Sequence, residues 1–212
     1  MNVSMSIAVI SLNDENMAEV AAISYPNFDR YCQSHHYLFR AFNFTLNQHR
    51  HPAWSKIRAA EHLVSDGIAD WICWIDCDAL FMNHKVKLEQ YVDPRFDVLF
   101  CKDFNGLSTS FMLIKASAWS LKFLCAVDLC GDCLNKNPDG HGHKWEQNTI
   151  KLLLQNFPDL QQHCSLIEDP DTNRHYIQND FVQGDFILHF PCMPNSQRQN
   201  VMREMQAQVI YS

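Results

Sequence analysis

The run Trp71-Ile72-Cys73-Trp74-Ile75 is apolar at every position, so a strand formed there can show neither of its faces to water. Such a strand needs cover on both sides of its sheet, and helices packed on both faces are the usual cover. The rest of the chain supplies matching parts. Met5–Leu12 (MSIAVISL), Tyr37–Phe44, Asp97–Cys101, Phe111–Ile114, Leu166-Ile167 and Phe186–Phe190 read as further strands. Helical spacing runs from Asp14 to Ser34, with a break expected near Tyr25-Pro26 that divides it into two helices. Ala53–Gly67 is the clearest helix, with Trp54, Ile57, Ala60, Leu63 and Val64 on one face and Gly67 as its stop. Ser117–Leu129, Trp145–Asn156 and Gln197–Gln208 read as helices, and the Gly-, Asn- and His-rich stretch from Asp128 to Lys144 as a loop. Strands alternating with helices predict one α/β domain over residues 1–212, a sandwich with a mainly parallel central sheet.

Composition narrows the function classes. Hydrophobic residues make up 47% of the 212, with 14 Phe, 5 Trp and 6 Tyr, enough for a well-filled core. The net charge of −7 argues against nucleic acid as a partner. The apolar stretch near the start, Ile7–Ile10, is too short for a signal segment, and no window of roughly 18 apolar residues suits a membrane span. The nine cysteines are odd in number and scattered through core segments, which predicts a reduced, cytoplasmic protein. In that compartment the sequon Asn43-Phe44-Thr45 is idle.

The apolar run ends abruptly in Asp76-Cys77-Asp78. Ligands of open α/β sheets bind beyond the carboxyl ends of the strands, which is where these two carboxylates stand. Two carboxylates beside an apolar core resist ionising together unless a cation lies between them. Hard oxygen ligands suit Mg²⁺, Mn²⁺ or Ca²⁺, ions that often share a site with a substrate phosphate. The other reading is a surface turn in which Asp78 caps the segment starting at Ala79. A separate constellation, Cys130-x-x-Cys133 followed by His141-x-His143, has spacing close to a structural zinc site, or else belongs to a mobile loop.

WICWIDCDALF, residues 71–81, resembles the D-x-D segment of glycosyltransferases with the GT-A fold, and in particular glycosyltransferase family 34. That family holds plant xyloglucan xylosyltransferases and fungal α-galactosyl- and α-mannosyltransferases. Four further segments resemble the family's in the same order: His51–Lys56 (HPAWSK), Ser108–Ser120 (STSFMLIKASAWS), Trp145–Asn148 (WEQN) and Phe186–Phe190 (FILHF). The resemblance spans residues 5 to 195. It implies a GT-A-like domain and a metal-dependent, retaining transfer of a sugar from a nucleotide-diphosphate donor, most simply a UDP-sugar, to an acceptor hydroxyl. It also implies that Asp76, Asp78 and His189 hold Mn²⁺ or Mg²⁺, that uridine lies near Ser11 and Asn13, and that Trp54 and Lys56 face the donor diphosphate. Gln147 falls under the anomeric carbon with Glu146 beside it, although Glu146 can equally complement the start of its helix. The acceptor is left open: a small molecule, a glycan, a lipid head group or a protein.

Ser108 replaces the family's Asn, Ser110 its Gly, and Trp145 the first of the two acids before the Gln. Pro191-Cys192-Met193-Pro194 follows His189 in place of Gly-Cys-Lys, leaving Arg198 as the counterpart for a phosphate-contacting lysine. These departures keep two alternatives in view: a nucleotide-sugar binder without transfer activity, and a zinc-stabilised interaction module.

Overall fold

The computed structural model describes residues 5–43, 50–134 (132–134 by backbone alone) and 145–211. In chain order its principal elements are β1 (Ile7–Leu12), α1 (Ala18–His35), β2 (Leu38–Phe42), α2 (Ser55–Asp66), β3 (Trp71–Ile75), β4 (Ala79–Phe81), β5 (Val98–Asp103) and β6 (Gly106–Lys115). They continue with α3 (Ala118–Leu134), α4 (Glu146–Asn156), β7 (Cys164–Leu166), β8 (Arg174–His175), β9 (Ile187–His189) and α5 (Asn195–Gln206).

Six strands form the main sheet in the order β2-β1-β3-β6-β5-β7. All run parallel except β6, which lies antiparallel between β3 and β5. Alternate residues serve two cores. Ala8, Ile10, Ile72, Trp74, Phe100 and Met112 face α2, α3 and α4, while Val9, Trp71, Cys73, Leu99 and Phe111 face Phe28 and Tyr31 of α1. That double cover is the physical reason β3 carries no polar residue.

Several expectations are refined by packing. α1 runs unbroken through Pro26 instead of dividing there. Residues on both sides of the proline, Val20 and Ile23 before it and Phe28 and Tyr31 after it, are buried in the adjoining cores, so tertiary packing outweighs the lost backbone hydrogen bond. α3 continues past Asp128, the expected start of a loop, to Leu134. Asp128 is buried and paired with Arg50 and Arg58, and at Gly131 the helix approaches Trp54 so closely that a Cβ would stand 2.2 Å from its ring. The Phe186–Phe190 segment does not close the main sheet. Its central part, β9, joins β4 and β8 in a second sheet of order β4-β9-β8. Strands of two or three residues such as β4 and β8 are too short to leave a periodic signal.

Asn27 of α1 ties the second sheet to the first layer of helices. Its side-chain oxygen accepts from the Phe81 N–H and its NH₂ donates to the Phe81 carbonyl. With the amide orientation fixed in that way, the NH₂ also faces Nε2 of His84 at 3.2 Å, so that nitrogen must be the unprotonated one. His84 is fully buried, and burial pulls its pKa down to about 4. Burial does the same to His175. A histidine held neutral in the fold binds fewer protons than in the unfolded chain, so stability is lost as pH falls from about 6.5 towards 4. Urea midpoints measured across that window are expected to fall with pH, and His84→Gln, which cannot titrate, is expected to show a shallower decline.

Candidate functional site

The end of β3 is the junction of the two sheets. The Asp76 N–H donates to the Ser110 carbonyl at 2.8 Å, and the Ala79 N–H turns back to the Asp76 carbonyl at 3.2 Å. β4 then leaves in register with β9, pairing Ala79 with His189, and the Phe190 N–H closes on the Asp78 carbonyl at 2.9 Å. A tight turn and one strand pair therefore bring Asp76, Asp78 and His189 together. One ligand atom from each lies within 4.8 Å of the others. His189 Nε2 is 3.2 Å from Asp78 Oδ1 and 3.9 Å from Asp76 Oδ2. Two carboxylates and an imidazole make a donor set suited to a divalent ion of the Mn²⁺ or Mg²⁺ kind. The Asp78 carboxylate is engaged by His189 and Arg198, a different use from capping the segment that begins at Ala79.

Lys56 anchors the other side of the site. It lies in the first turn of α2, yet only 5% of it is exposed, and its Nζ lies 2.9 Å from Asp76 Oδ1 and 3.0 Å from Glu146 Oε1. The Thr109 carbonyl accepts from the same ammonium at 3.1 Å. Trp74, two residues before Asp76 on the same strand face, donates its indole N–H to Asp76 Oδ1 at 2.7 Å. That oxygen is thereby saturated, and Oδ2 is left facing His189.

The titration behaviour follows from this crowding. Burial pushes the Asp76 carboxyl above the usual carboxylate range, against the pull of Lys56 and His189. Burial acts on Asp78 as well, but His189 and Arg198 outweigh it and hold that carboxyl below its ordinary value. Burial lowers His189, and the two aspartates more than offset this, so its pKa is raised. For Lys56, Asp76 and Glu146 together overcome burial and keep the amine charged. One carboxyl up and its neighbour down is the signature of two anions sharing a site, the situation a divalent cation relieves.

The remaining expected residues are placed as follows. Glu146 is buried at the start of α4, and its Oε2 has no hydrogen-bond partner among the described residues. Gln147 follows it, half-buried, with its Oε1 on Thr109. Ser11 is fully buried on β1 and Asn13 donates to the Asp14 carbonyl, so both stand apart from the hydrogen bonds of the carboxylate cluster. Trp54 lies in the core between α2 and α3, with the Arg50 guanidinium 4.6 Å from its ring centre. Arg198 holds the Phe190 carbonyl at 2.8 Å and approaches Asp78 Oδ2 at 3.4 Å, which makes it a support for Asp78. Of the zinc constellation, Cys130 lies half-buried in α3, while the Cys133 side chain, His141 and His143 fall outside the described residues.

Sequence reasoning missed Thr109, Trp74 and His175. Trp74 was open to discovery from the two-residue strand period that puts it on the face of Asp76. His175 pairs with His189 across β8 and β9, their ring centres 5.2 Å apart, and nothing in a two-residue strand signals that pairing.

Removing the Lys56 amine would leave Asp76 and Glu146 buried without their cation. Lys56→Met is expected to cost about 3–5 kcal/mol of folding stability, the usual penalty for breaking a buried pair from one side. Urea denaturation measures it, and the double variant Lys56→Met/Glu146→Gln is expected to recover part of the loss.

Known proteins resemble the chain in both sequence and fold. The family model of the galactosyl transferase GMA12/MNN10 family matches residues 4–96 and 93–199. No curated protein matches the chain. Among solved structures, a glycosyltransferase involved in glycosylation of the major capsid of PBCV-1 superposes with a TM-score of 0.74 at 15% identity, covering 94% of this chain and 99% of that one. The galactosyltransferase LgtC, solved in complex with donor and acceptor sugar analogs, superposes with a TM-score of 0.62 at 10% identity, covering 97% of each chain. The glycosyltransferase GlyE of Streptococcus pneumoniae TIGR4 gives 0.60 at 12% identity, covering 98% of this chain and 65% of that one. The fold is that of the GT-A glycosyltransferases, and with the family model matched along nearly the whole chain, this protein is a glycosyltransferase that belongs to the galactosyl transferase GMA12/MNN10 family.

Proposed function

We propose that the chain is a metal-dependent, retaining glycosyltransferase that takes its sugar from a UDP-sugar. The observation that carries this reading is the Asp76-Asp78-His189 cluster, with the Lys56 ammonium on its flank. Asp76, Asp78 and His189 would hold a divalent ion, Mn²⁺ or Mg²⁺, which when bound would supply Lewis-acid neutralisation for the departing diphosphate. Lys56 adds a fixed positive charge beside the leaving group, and its two carboxylate partners hold it in place. Asp78 keeps its negative charge because His189 and Arg198 stabilise it.

Retention of configuration fits the residues beside the sugar site. Glu146 is tied through Oε1 to Lys56 and Thr109, and Gln147 offers an amide, a weak nucleophile. Neither is set up to form a covalent glycosyl-enzyme, so for a transfer that retains configuration the acceptor hydroxyl attacks from the leaving-group side as the anomeric C–O bond to the diphosphate breaks, and its proton passes to an oxygen of the departing phosphate. The acceptor is a hydroxyl compound whose identity is left to experiment. No helix among the described residues is long and apolar enough to cross a membrane. The free state of the eight described cysteines supports residence in a reducing compartment such as the cytoplasm.

Calorimetric titration with UDP tests the site. Binding is expected to require Mn²⁺ and to disappear in Asp78→Asn, with the fold intact because the two side chains are nearly isosteric. Retained metal-dependent binding in Asp78→Asn would sink this assignment. Asp159, exposed after α4, provides a suitable control as Asp159→Asn. Asp97 does not, since it accepts from Ser117 Oγ at 2.5 Å and from His163 Nδ1 at 2.7 Å and so joins β5 to the start of α3. A panel of UDP-sugars assayed with Mn²⁺ for release of UDP then identifies the donor, and UDP binding without turnover of any donor would favour a non-catalytic binder.

A further inference from the structure

A histidine that ligates a metal usually donates its second ring nitrogen to a carboxylate or a carbonyl, and that bond fixes the plane of the ring. His189 departs from this pattern. It is buried, its Nε2 faces Asp78 and Asp76, and its Nδ1 has no hydrogen-bond partner among the described residues. A buried polar atom left in this way calls for a physical reason. Among the described residues, packing takes the place of the usual hydrogen bond.

The neighbour that supplies this packing is His175. β8 and β9 run parallel with His175 opposite His189, and residues opposite each other on adjacent strands share a face. The two rings stand edge to face, their centres 5.2 Å apart and their planes at 84°. Such a pairing is directional, because the positive edge of one ring meets the negative face of the other. His175 is 4% exposed, and neither of its ring nitrogens has a hydrogen-bond partner among the described residues. The residue is itself held. Its backbone N–H donates to Asp180 Oδ1 at 3.0 Å, and the preceding Arg174 pairs with Asp171 and Asp185. The Phe104 ring, in the β5–β6 turn, meets the His175 ring at 88°.

We infer that His175 is a positioning residue for the metal site: its ring, edge to face with His189, fixes the plane in which His189 Nε2 is presented to the ion. This rests on the reading that Asp76, Asp78 and His189 hold a divalent cation. It gives β8, a strand of two residues, a task at the site although it supplies none of the three ligands. The task belongs to the ring and not to its nitrogens, which sets it apart from a hydrogen-bonding clamp.

His175→Phe and His175→Leu separate the ring from the nitrogens. Both variants lose the nitrogens and fill similar space, and only the first keeps an aromatic ring. Mn²⁺ binding in the presence of UDP, followed by electron paramagnetic resonance, is expected to weaken at least tenfold in His175→Leu and to stay within threefold of wild type in His175→Phe. Equal weakening in both variants would overturn the inference by assigning the role to the nitrogens, and wild-type affinity in His175→Leu would overturn it as well. Should His175→Leu fail to fold, as judged by urea denaturation, His175→Met takes its place. A second readout needs no metal. Nuclear magnetic relaxation of the isotope-labelled His189 ring is expected to show a rigid ring in wild type and His175→Phe, and a more mobile one in His175→Leu. If wild type binds no Mn²⁺ with UDP while that difference in mobility is found, the reading of the metal site fails and the ring contact stands. Equal order parameters in all three proteins would show that the contact fixes nothing, and the inference would fall on that result alone.

Discussion

The Lys56 ammonium is the point on which the site is assembled. It joins the start of α2 to the end of β3 through Asp76, to β6 through the Thr109 carbonyl and to α4 through Glu146. A buried amine is costly on its own, and so is each buried carboxylate. Their mutual neutralisation lets three charged side chains occupy a volume otherwise lined by apolar strands. The same grouping leaves one negative charge in excess of the lysine, next to the Asp78–His189 pair.

Much of this plan was legible in the sequence, and the reasons are specific. WICWI announces a strand with cover on both faces because no other environment tolerates five apolar residues in an extended chain. Asp76 and Asp78 stand out because they end that run. Gly67 marks the end of α2 and is found there in the left-handed conformation, with φ +61°. His189 was a different matter. A histidine on an apolar strand gives no signal of its own, and only the resemblance of FILHF to a family segment singled it out.

The rest was hidden for equally physical reasons. The continuity of α1 across Pro26 depends on buried neighbours contributed by other elements, which local propensity does not see. The extension of α3 to Leu134 depends on Asp128 meeting two arginines and on Gly131 meeting Trp54. Thr109 lies in a polar stretch, STS, in which three similar residues have different fates: Ser108 and Ser110 bond to each other, while Thr109 faces α4. Strand alternation separates the threonine from the serines, but only the position of α4 gives that separation meaning.

The two aspartates belong to different parts of the molecule, and this shapes what ligand binding can do. Asp76 is fixed by Trp74 and Lys56, both attached to the main sheet and its helices. Asp78 is fixed by His189 on β9 and by Arg198 on α5, both attached to the second sheet. The cluster therefore straddles the seam between the sheets, which is joined there by the tight turn after β3 and by the β4–β9 pair. A cation held by both carboxylates bridges that seam directly. Any group binding the folded state alone adds its binding free energy to stability, and here the addition falls on the contact between the two sheets. A diphosphate bound together with such a cation would reinforce the same contact between the sheets.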